Sequence, residues 1–401
     1  MPEIREAREE DRDSAIRVLW KAFESSESYE NVLKKDWVKQ WNQPEKEDWA
    51  YIGVDGDKVI ANLAFFASEN NIIRGKSVRF AGVWAVATEP SYRRSGLVRG
   101  LFDNAFPRMK KEGCVLSILD PFYRPFYEKF GYAIAERRVK HVFKKEHLRV
   151  GNSSPEITCR EADSDDDITK MQQVEKSMAR YGSRFFSFER DAKEIIKKGN
   201  FYIFEKNGEA VGTVRFRFLE PHQDPDHEAF YLTVLNTRYT SDEIFPSIVE
   251  QVRNHAVNVE RISWYTDYET PIRHFFSDIH DAKSYQIGSM MMRVIDFEGY
   301  CRSIGIPRTA TKSVTLELND DQCPWNNGIY TITPNDGVLS VERNSEEPDI
   351  RLTPYQLSEI ISGISPPHLL WSFREIECSE DTAWRLESIF PEDVFYSYVR
   401  F

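Results

Sequence analysis

The chain has 401 residues, more than one hydrophobic core usually organises, since cores stop growing at roughly 250 residues, so two or three domains are expected. Its 65 Asp and Glu against 53 Lys and Arg leave a net charge of −12, which argues against a nucleic-acid partner and favours a cationic substrate. Five cysteines without a Cys-x-x-Cys pair argue against a disulfide framework and predict reduced thiols in a cytoplasmic protein. The N-terminus is charged from its third residue and no apolar run approaches a membrane span of ~18 residues, so neither a leader nor an anchor is expected.

In chain order, the first block predicts a strand near Ile4 to Ala7 and then a helix with Ile16, Leu19, Trp20 and Phe23 on one face. A hairpin follows, WAYIGV and KVIANLAFF joined through Asp55-Gly56-Asp57, whose Asp-Gly pair readily takes the positive backbone angles of a tight turn. The next stretch, Val83 to Gly100, reads VWAVATEPSYRRSGLVRG and predicts a strand delivering a basic turn to a helix that starts near Leu97. Gly96 lets backbone approach an anion, Arg93, Arg94 and Arg99 bring positive charge, and the first N–H groups of the helix point at the same spot. Alone, such a cradle suits a nucleotide, a sugar phosphate or coenzyme A. The helix should run to about Glu112 and be followed by the buried strand CVLSIL, Cys114 to Leu119.

The same order recurs about 150 residues later. Arg160-Glu161-Ala162 echoes Arg5-Glu6-Ala7, a helix spans Ile168 to Ala179, and a hairpin turning at Asn207-Gly208 answers the one at Asp55-Gly56. The strand Phe230 to Leu235 stands where Val83 to Val86 stood, but it leads into NTRYTSDEIF, with no glycine and one arginine. This reads as a duplicated domain whose second copy has lost its phosphate-binding turn. A third block begins near Tyr300. Its strands SVTLEL, GIYTIT and VLSVER alternate apolar and polar residues, and Thr353-Pro354-Tyr355-Gln356 caps a helix that Gly363 stops.

The turn Arg93-Arg94-Ser95-Gly96-Leu97-Val98 resembles the acyl-CoA pyrophosphate loop of the GNAT acetyltransferases, usually Gln/Arg-x-x-Gly-x-Gly/Ala, with Val98 as a departure. Phe126-Tyr127-Glu128-Lys129-Phe130-Gly131-Tyr132 follows where that fold places its tyrosine-bearing helix and next strand. Together they are similar to the Eis (enhanced intracellular survival) family: two GNAT domains in tandem, the second degenerate, then a sterol-carrier-protein-like domain. The resemblance spans the chain and implies an α/β (α+β) architecture with domains at 1–150, 151–296 and 297–401. It also implies acetyl-CoA as acetyl donor, no metal, and a homo-oligomer, commonly a hexamer. By it, the backbone of Val86, Ala87 and Thr88 binds the pantetheine arm and Arg94, Ser95, Gly96, Leu97, Val98 and Arg99 bind the pyrophosphate. Phe122 and Tyr123 lie beside the cofactor.

Moving acetyl from a thioester to an amine needs a free amine lone pair, a stabilised oxyanion and a proton for the departing thiolate. A phenol pKa of about 10 lies near that of an alkyl thiol, which makes Tyr127 the candidate acid. Spacing alone fits a structural tyrosine packed beside Phe126 and Phe130 better; the family resemblance favours the acid. No His occurs before His141. The end of the chain, VFYSYVRF from Val394, stays aromatic to its last position and should be buried rather than frayed. In the family resembled the terminal carboxylate is the general base, a role that falls here to Phe401; a C-terminal strand completing a sheet is compatible with it. Trp37 and Glu24 are the candidate acceptor contacts by the same resemblance, with a core tryptophan and a solvated glutamate as the plain alternative. His222-Gln-Asp-Pro-Asp-His227 reads as an acidic hairpin loop rather than a metal site, and Arg137, Arg138 and Lys140 as a solvated strand face. The expected activity is acetyl transfer to primary amines of polyamine-like or aminoglycoside-like molecules. A protein-lysine acetyltransferase and a CoA- or lipid-binding scaffold stand as alternatives.

Overall fold

The computed structural model describes residues 2–23, 26–69, 71–178, 184–185, 196, 199–219, 231–268, 270–287 and 290–397. Its first sheet has seven strands in the spatial order β1 (Glu3–Glu6), β2 (Asp48–Asp55), β3 (Lys58–Ser68), β6 (Phe80–Thr88), β7 (Leu116–Leu119), β17 (Met291–Val294) and β8 (Ala133–Ile134). Only β6 and β7 run parallel, so a crossover must join them, and α4 (Leu97–Lys111) does so. β2 and β3 turn at Gly56-Asp57, where Gly56 alone takes a positive φ of 60°. Every residue of β3 from Val59 to Ala67 is buried, as expected for a strand covered on both faces. α1 (Arg12–Phe23) packs on this strand with Ile16 and Leu19 buried. Phe23 does not join them: it is the last residue of the helix and is 57% exposed.

The second sheet repeats the first strand for strand: β10 (Ile157–Glu161), β12 (Phe201–Lys206), β13 (Glu209–Leu219), β14 (Tyr231–Tyr239), β15 (Arg261–Asp267), β9 (Arg138–Lys144) and β16 (Lys283–Ile287). β14 and β15 are its parallel pair, joined across α7 (Phe245–His255), while α6 (Asp165–Ser177) takes the place of α1. Even a local ion pair recurs, Arg5 to Asp11 at 2.6 Å and Arg160 to Asp167 at 2.5 Å. The sixth strands are exchanged. β9 leaves the first half to pair with β15, and β17 returns from the second half to pair with β7. Boundaries at 150 and 296 therefore divide the chain but not the sheets. Arg138, on the exchanged strand, is buried between the rings of Tyr265 and Tyr396, 5.2 and 5.1 Å from its guanidinium. Arg137 and Lys140 are half-buried, so the solvated face expected for these three residues is not what forms.

The third block has a sheet ordered β20 (Val338–Asn344), β19 (Gly328–Asn335), β18 (Val314–Leu318) and β21 (Ile350–Leu352), with α8 (Phe297–Ser303), α9 (Pro354–Ser362), α10 (Pro367–Ser372) and α11 (Glu380–Ile389). The Thr353–Gln356 capping box is formed and Gly363 ends α9 with φ 72°. Its apolar residues do not make a core of their own. Leu316, Tyr330, Leu357 and Ile360 share one cluster with Phe66, Phe80, Ile118 and Met292 of the first sheet. The third block thus closes the part of the first sheet that lies beyond α1. A small sheet of β22 (Tyr396–Ser397), β11 (Arg184–Phe185), β4 (Asn71–Ile73) and β5 (Lys76–Ser77) ties all three blocks together. Among the described residues no helix is long and apolar enough to cross a membrane.

Candidate active site

Two neighbouring strands of the first sheet part company at its centre. β6 pairs with β7 from Phe80↔Leu116 to Val83↔Leu119 and no further, while its pairing with β3 continues to Thr88↔Ala61. Beyond Val83, the β7-facing edge of β6 pairs with no strand among the described residues, and this edge runs through Val86, Ala87 and Thr88. The departure is marked by a break in the β3 register and by Ala85, whose φ of +56° is a left-handed conformation for a residue with a Cβ. Such a residue costs of order 1–3 kcal/mol and persists only when its surroundings hold it. Here the buried Asn62 holds it: its Nδ2 donates to Ala85 O at 2.8 Å, and Trp41 Nε1 donates to its Oδ1 at 3.0 Å. The sequence carried a signal for this, a single Asn inside the apolar run KVIANLAFF.

The basic turn follows at once. Residues Pro90–Tyr92 form one 3₁₀ turn, pinned by Tyr92 Oη donating to Asp55 at 2.6 Å and by Ser95 Oγ donating to Tyr92 O at 2.5 Å. Arg94 and Gly96 have φ of 64° and 82°, a curled backbone that ends in the start of α4. The first turn of α4 carries no acidic residue, and its first intrahelical donor is Gly100 N, to Gly96 O. The N–H groups of Leu97, Val98 and Arg99 thus have no acceptor in the helix. Arg93 and Arg94 are exposed and form no ion pair among the described residues, and Arg99 reaches over the Phe130 ring at 6.0 Å. Leu97 is buried, and the departure Val98 packs against the same core, so an aliphatic side chain there faces inward. Nearby Glu89 is taken by Lys21 and Lys58, and the Lys21 hydrogen bond holds its carboxyl below the usual range.

Tyr127 lies on α5 (Arg124–Glu128) and is 3% exposed. It packs edge-on against Phe126, Phe122 and Tyr132, with ring centroids at 5.1, 5.4 and 6.2 Å. It shares an apolar cluster with Val83 and Leu119, the last pair before the strands separate. This burial, reinforced by the carboxylate of Asp120, pushes its phenol pKa well above the ordinary value. The near-match with a thiol expected of a free phenol is therefore absent, because the apolar rings disfavour the phenolate. Phe122 and Tyr123 are 66% and 60% exposed in the connection from β7 to α5, with Phe122 against Tyr127.

Trp37, on α3 (Asp36–Gln40) after the short α2 (Tyr29–Val32), is half-buried with its ring edge-on to Trp84 at 6.4 Å. That places it beside the Ala85 distortion. Glu24, Phe401 and the segment His222 to His227 lie outside the described residues. The chain end is buried as far as it is described: Phe395, Tyr396 and Ser397 are all in the interior. What receives it is a residue that sequence reasoning passed over. Glu136 is fully buried, accepts the Ser397 N–H at 3.0 Å, and with its other oxygen accepts the Met290 N–H at 3.3 Å. Nothing in AERRVKH distinguishes it from a surface glutamate.

Residues 3–135, which contain this geometry, match the family model of the acetyltransferase (GNAT) domain, and residues 299–396 match that of the sterol carrier protein domain. An uncharacterised N-acetyltransferase from Streptomyces avermitilis is 21% identical over 335 residues, 78% of this chain and 80% of the relative. Several solved structures match over 100% of both chains. A GCN5-related N-acetyltransferase from Anabaena variabilis has a TM-score of 0.85 at 16% identity, and Eis1 from Mycobacterium abscessus has 0.78 at 15%. These structural matches carry the fold, and the family match of residues 3–135 carries the acetyltransferase assignment of that domain. Residues 3–135 are thus a GNAT acetyltransferase domain and residues 299–396 a sterol carrier protein domain by their family matches, and the chain as a whole shares the fold of Eis1.

Proposed function

We propose that the protein moves acetyl from acetyl-CoA directly to a primary amine of a cationic small molecule, with Tyr127 as general acid and the Phe401 carboxylate as general base. The observation that carries this reading is the separation of β6 from β7 at Val83, which leads straight to a basic helix start without acids. These residues fit the donor. The freed backbone of Val86, Ala87 and Thr88 is ladder-like and suits the amides of a pantetheine arm. The Arg94–Arg99 turn suits a pyrophosphate, since positive φ at Arg94 and Gly96 brings its backbone round to the anion side. Phe122 and Tyr123 offer exposed rings at the mouth.

Acetyl-CoA, as in GNAT domains, supplies the acetyl group in a thioester. Tyr127 holds a proton on its Oη, kept there by burial until a sulfur with developing charge draws it. The Phe401 carboxylate takes a proton from the incoming amine, a role that the burial of Phe395, Tyr396 and Ser397 supports. Trp37 and Glu24 contact the acceptor, and the net charge of −12 favours a cation there.

Thiol release from acetyl-CoA with a panel of polyamines and aminoglycosides tests the reading. Tyr127→Phe should lower kcat by about 10²–10⁴-fold, the usual range for a proton-transfer group. A chain extended by a few residues past Phe401 should lose most activity. An unchanged rate there removes the terminal carboxylate from the mechanism. Acetylated peptides together with silence on every small amine would move the assignment to a protein-lysine acceptor.

A further inference from the structure

The helix that carries Tyr127 has five residues, Arg124–Glu128. A helix this short has no independent stability in water, so whatever fixes the phenol lies outside it. On one side Phe130 packs against Phe102 at 4.7 Å. At its C-terminal end, the carbonyls leaving the helix are taken by buried donors. Arg293 Nη1 donates to Phe130 O at 2.5 Å, and the single proton of Ser358 Oγ is shared between Gly131 O at 2.8 Å and Pro354 O at 2.7 Å. Gly131, with φ of 79°, sits so close to α9 that a Cβ would come within 2.7 Å of Pro354. At the helix start Arg124 Nη2 donates to Tyr355 Oη at 3.0 Å.

Arg293 has no freedom of its own. Its Nη2 donates to both oxygens of Asp320, at 2.7 and 2.6 Å, and its guanidinium lies 4.1 Å from the Phe106 ring. Asp320 is held in turn, its Oδ1 accepting the N–H groups of Gln322 and Cys323 at 3.1 and 3.0 Å. Both side chains are buried. A guanidinium that is stacked and shielded from water keeps one rotamer, which a surface cation would not. Neither residue belongs to the block that holds Tyr127: Arg293 is on the exchanged strand β17 and Asp320 is in the third block.

We propose that Arg293, oriented by Asp320, is a positioning residue for Tyr127, setting the phenol through the Phe130 carbonyl at the end of α5. Ser358 is its partner on the next carbonyl. The inference rests on Tyr127 acting as the proton donor. It gives the strand exchange and the third block a task in the reaction, namely to hold a five-residue helix that cannot hold itself.

Steady-state kinetics of the full-length protein decide it, using Asp320→Asn, Ser358→Ala, Tyr127→Phe and the doubles with Tyr127→Phe. Asp320→Asn should lower kcat about tenfold or more, as small misplacements of catalytic groups do, with KM for acetyl-CoA moving less than about twofold. In the Tyr127→Phe background the same substitution should cost less than about twofold, because the group it positions is gone. Equal factors in both backgrounds would overturn the proposal and leave a structural residue. An unchanged kcat in Tyr127→Phe alone would instead remove the donor reading, and the positioning role with it. Should Asp320→Asn fail to fold, Ser358→Ala carries the test, with about a threefold drop confined to the background that keeps Tyr127.

Discussion

The two related halves have the same seven-strand sheet and differ at the turn after the central parallel strand. In the first half β6 distorts at Ala85, the turn curls through two positive φ angles, and Arg93, Arg94 and Arg99 surround a helix start without acids. In the second, β14 breaks register near Asn236 with no positive φ, and the turn carries Asp242 and Glu243 ahead of α7, which has Pro246 at its start. Topology is thus indifferent to the proposed anion site. The sheet survives because its strands bury the same kind of apolar face, whereas the cradle depends on a few backbone angles and the sign of three or four charges.

Gly96→Val strikes the first turn where the comparison is sharpest. A β-branched residue cannot hold φ of 82° without strain, so KM for acetyl-CoA should rise about 10- to 100-fold. A normal KM would mean that the turn's shape is not what separates the halves. Asn62→Leu attacks the distortion of β6. It strands the Ala85 carbonyl and Trp41 Nε1, each costing about 1–3 kcal/mol, and should lower the melting temperature by about 3–8 °C and raise KM about 3- to 10-fold.

The second half has a pH signature of its own. His141 of the exchanged strand β9 is buried, its ring nitrogens bonded to Ser284 and Thr266, and desolvation pushes its pKa down to about 4. The unfolded chain takes up this proton near pH 6.5 and the folded chain only near 4, so stability should fall as pH drops through that window. The loss should reach about 1–3 kcal/mol at pH 4. His141→Gln should flatten the slope in denaturant titrations at pH 4 to 7, and an unaltered slope assigns the loss to other groups. Smallest of all should be the effect of reversing the second turn. With Asp242→Lys and Glu243→Arg together, calorimetric titration should still find one equivalent of CoA per chain, because charge without the curled backbone makes no cradle. A second equivalent would collapse the distinction.

Much of the backbone that would form the proposed site was legible in the residues. The Arg93–Val98 turn and the start of α4 were readable because both are local, set by a glycine and a change of periodicity within a few positions. The duplication was readable for the same reason, since Asn207-Gly208 and Asp55-Gly56 mark equivalent hairpins. The site's support was not. Glu136 and Arg293 act on N–H groups or carbonyls far away in the chain and carry no local mark of it, and Asn62, though conspicuous inside its apolar run, does not reveal which distant carbonyl it holds.

By itself, then, the sequence determined the order of elements, the repeat, the altered second turn and the tyrosine-bearing helix, all of them short-range consequences of spacing and turn chemistry. Tertiary structure decided which sheet each strand joined, sending β9 and β17 across, and that exchange buried Arg138 where a solvated face was expected. It also merged the third block's core with the first sheet and raised the Tyr127 pKa. The physical reason is common to all of these. Burial and strand pairing are properties of what packs against a residue, and those partners lie tens to hundreds of positions away.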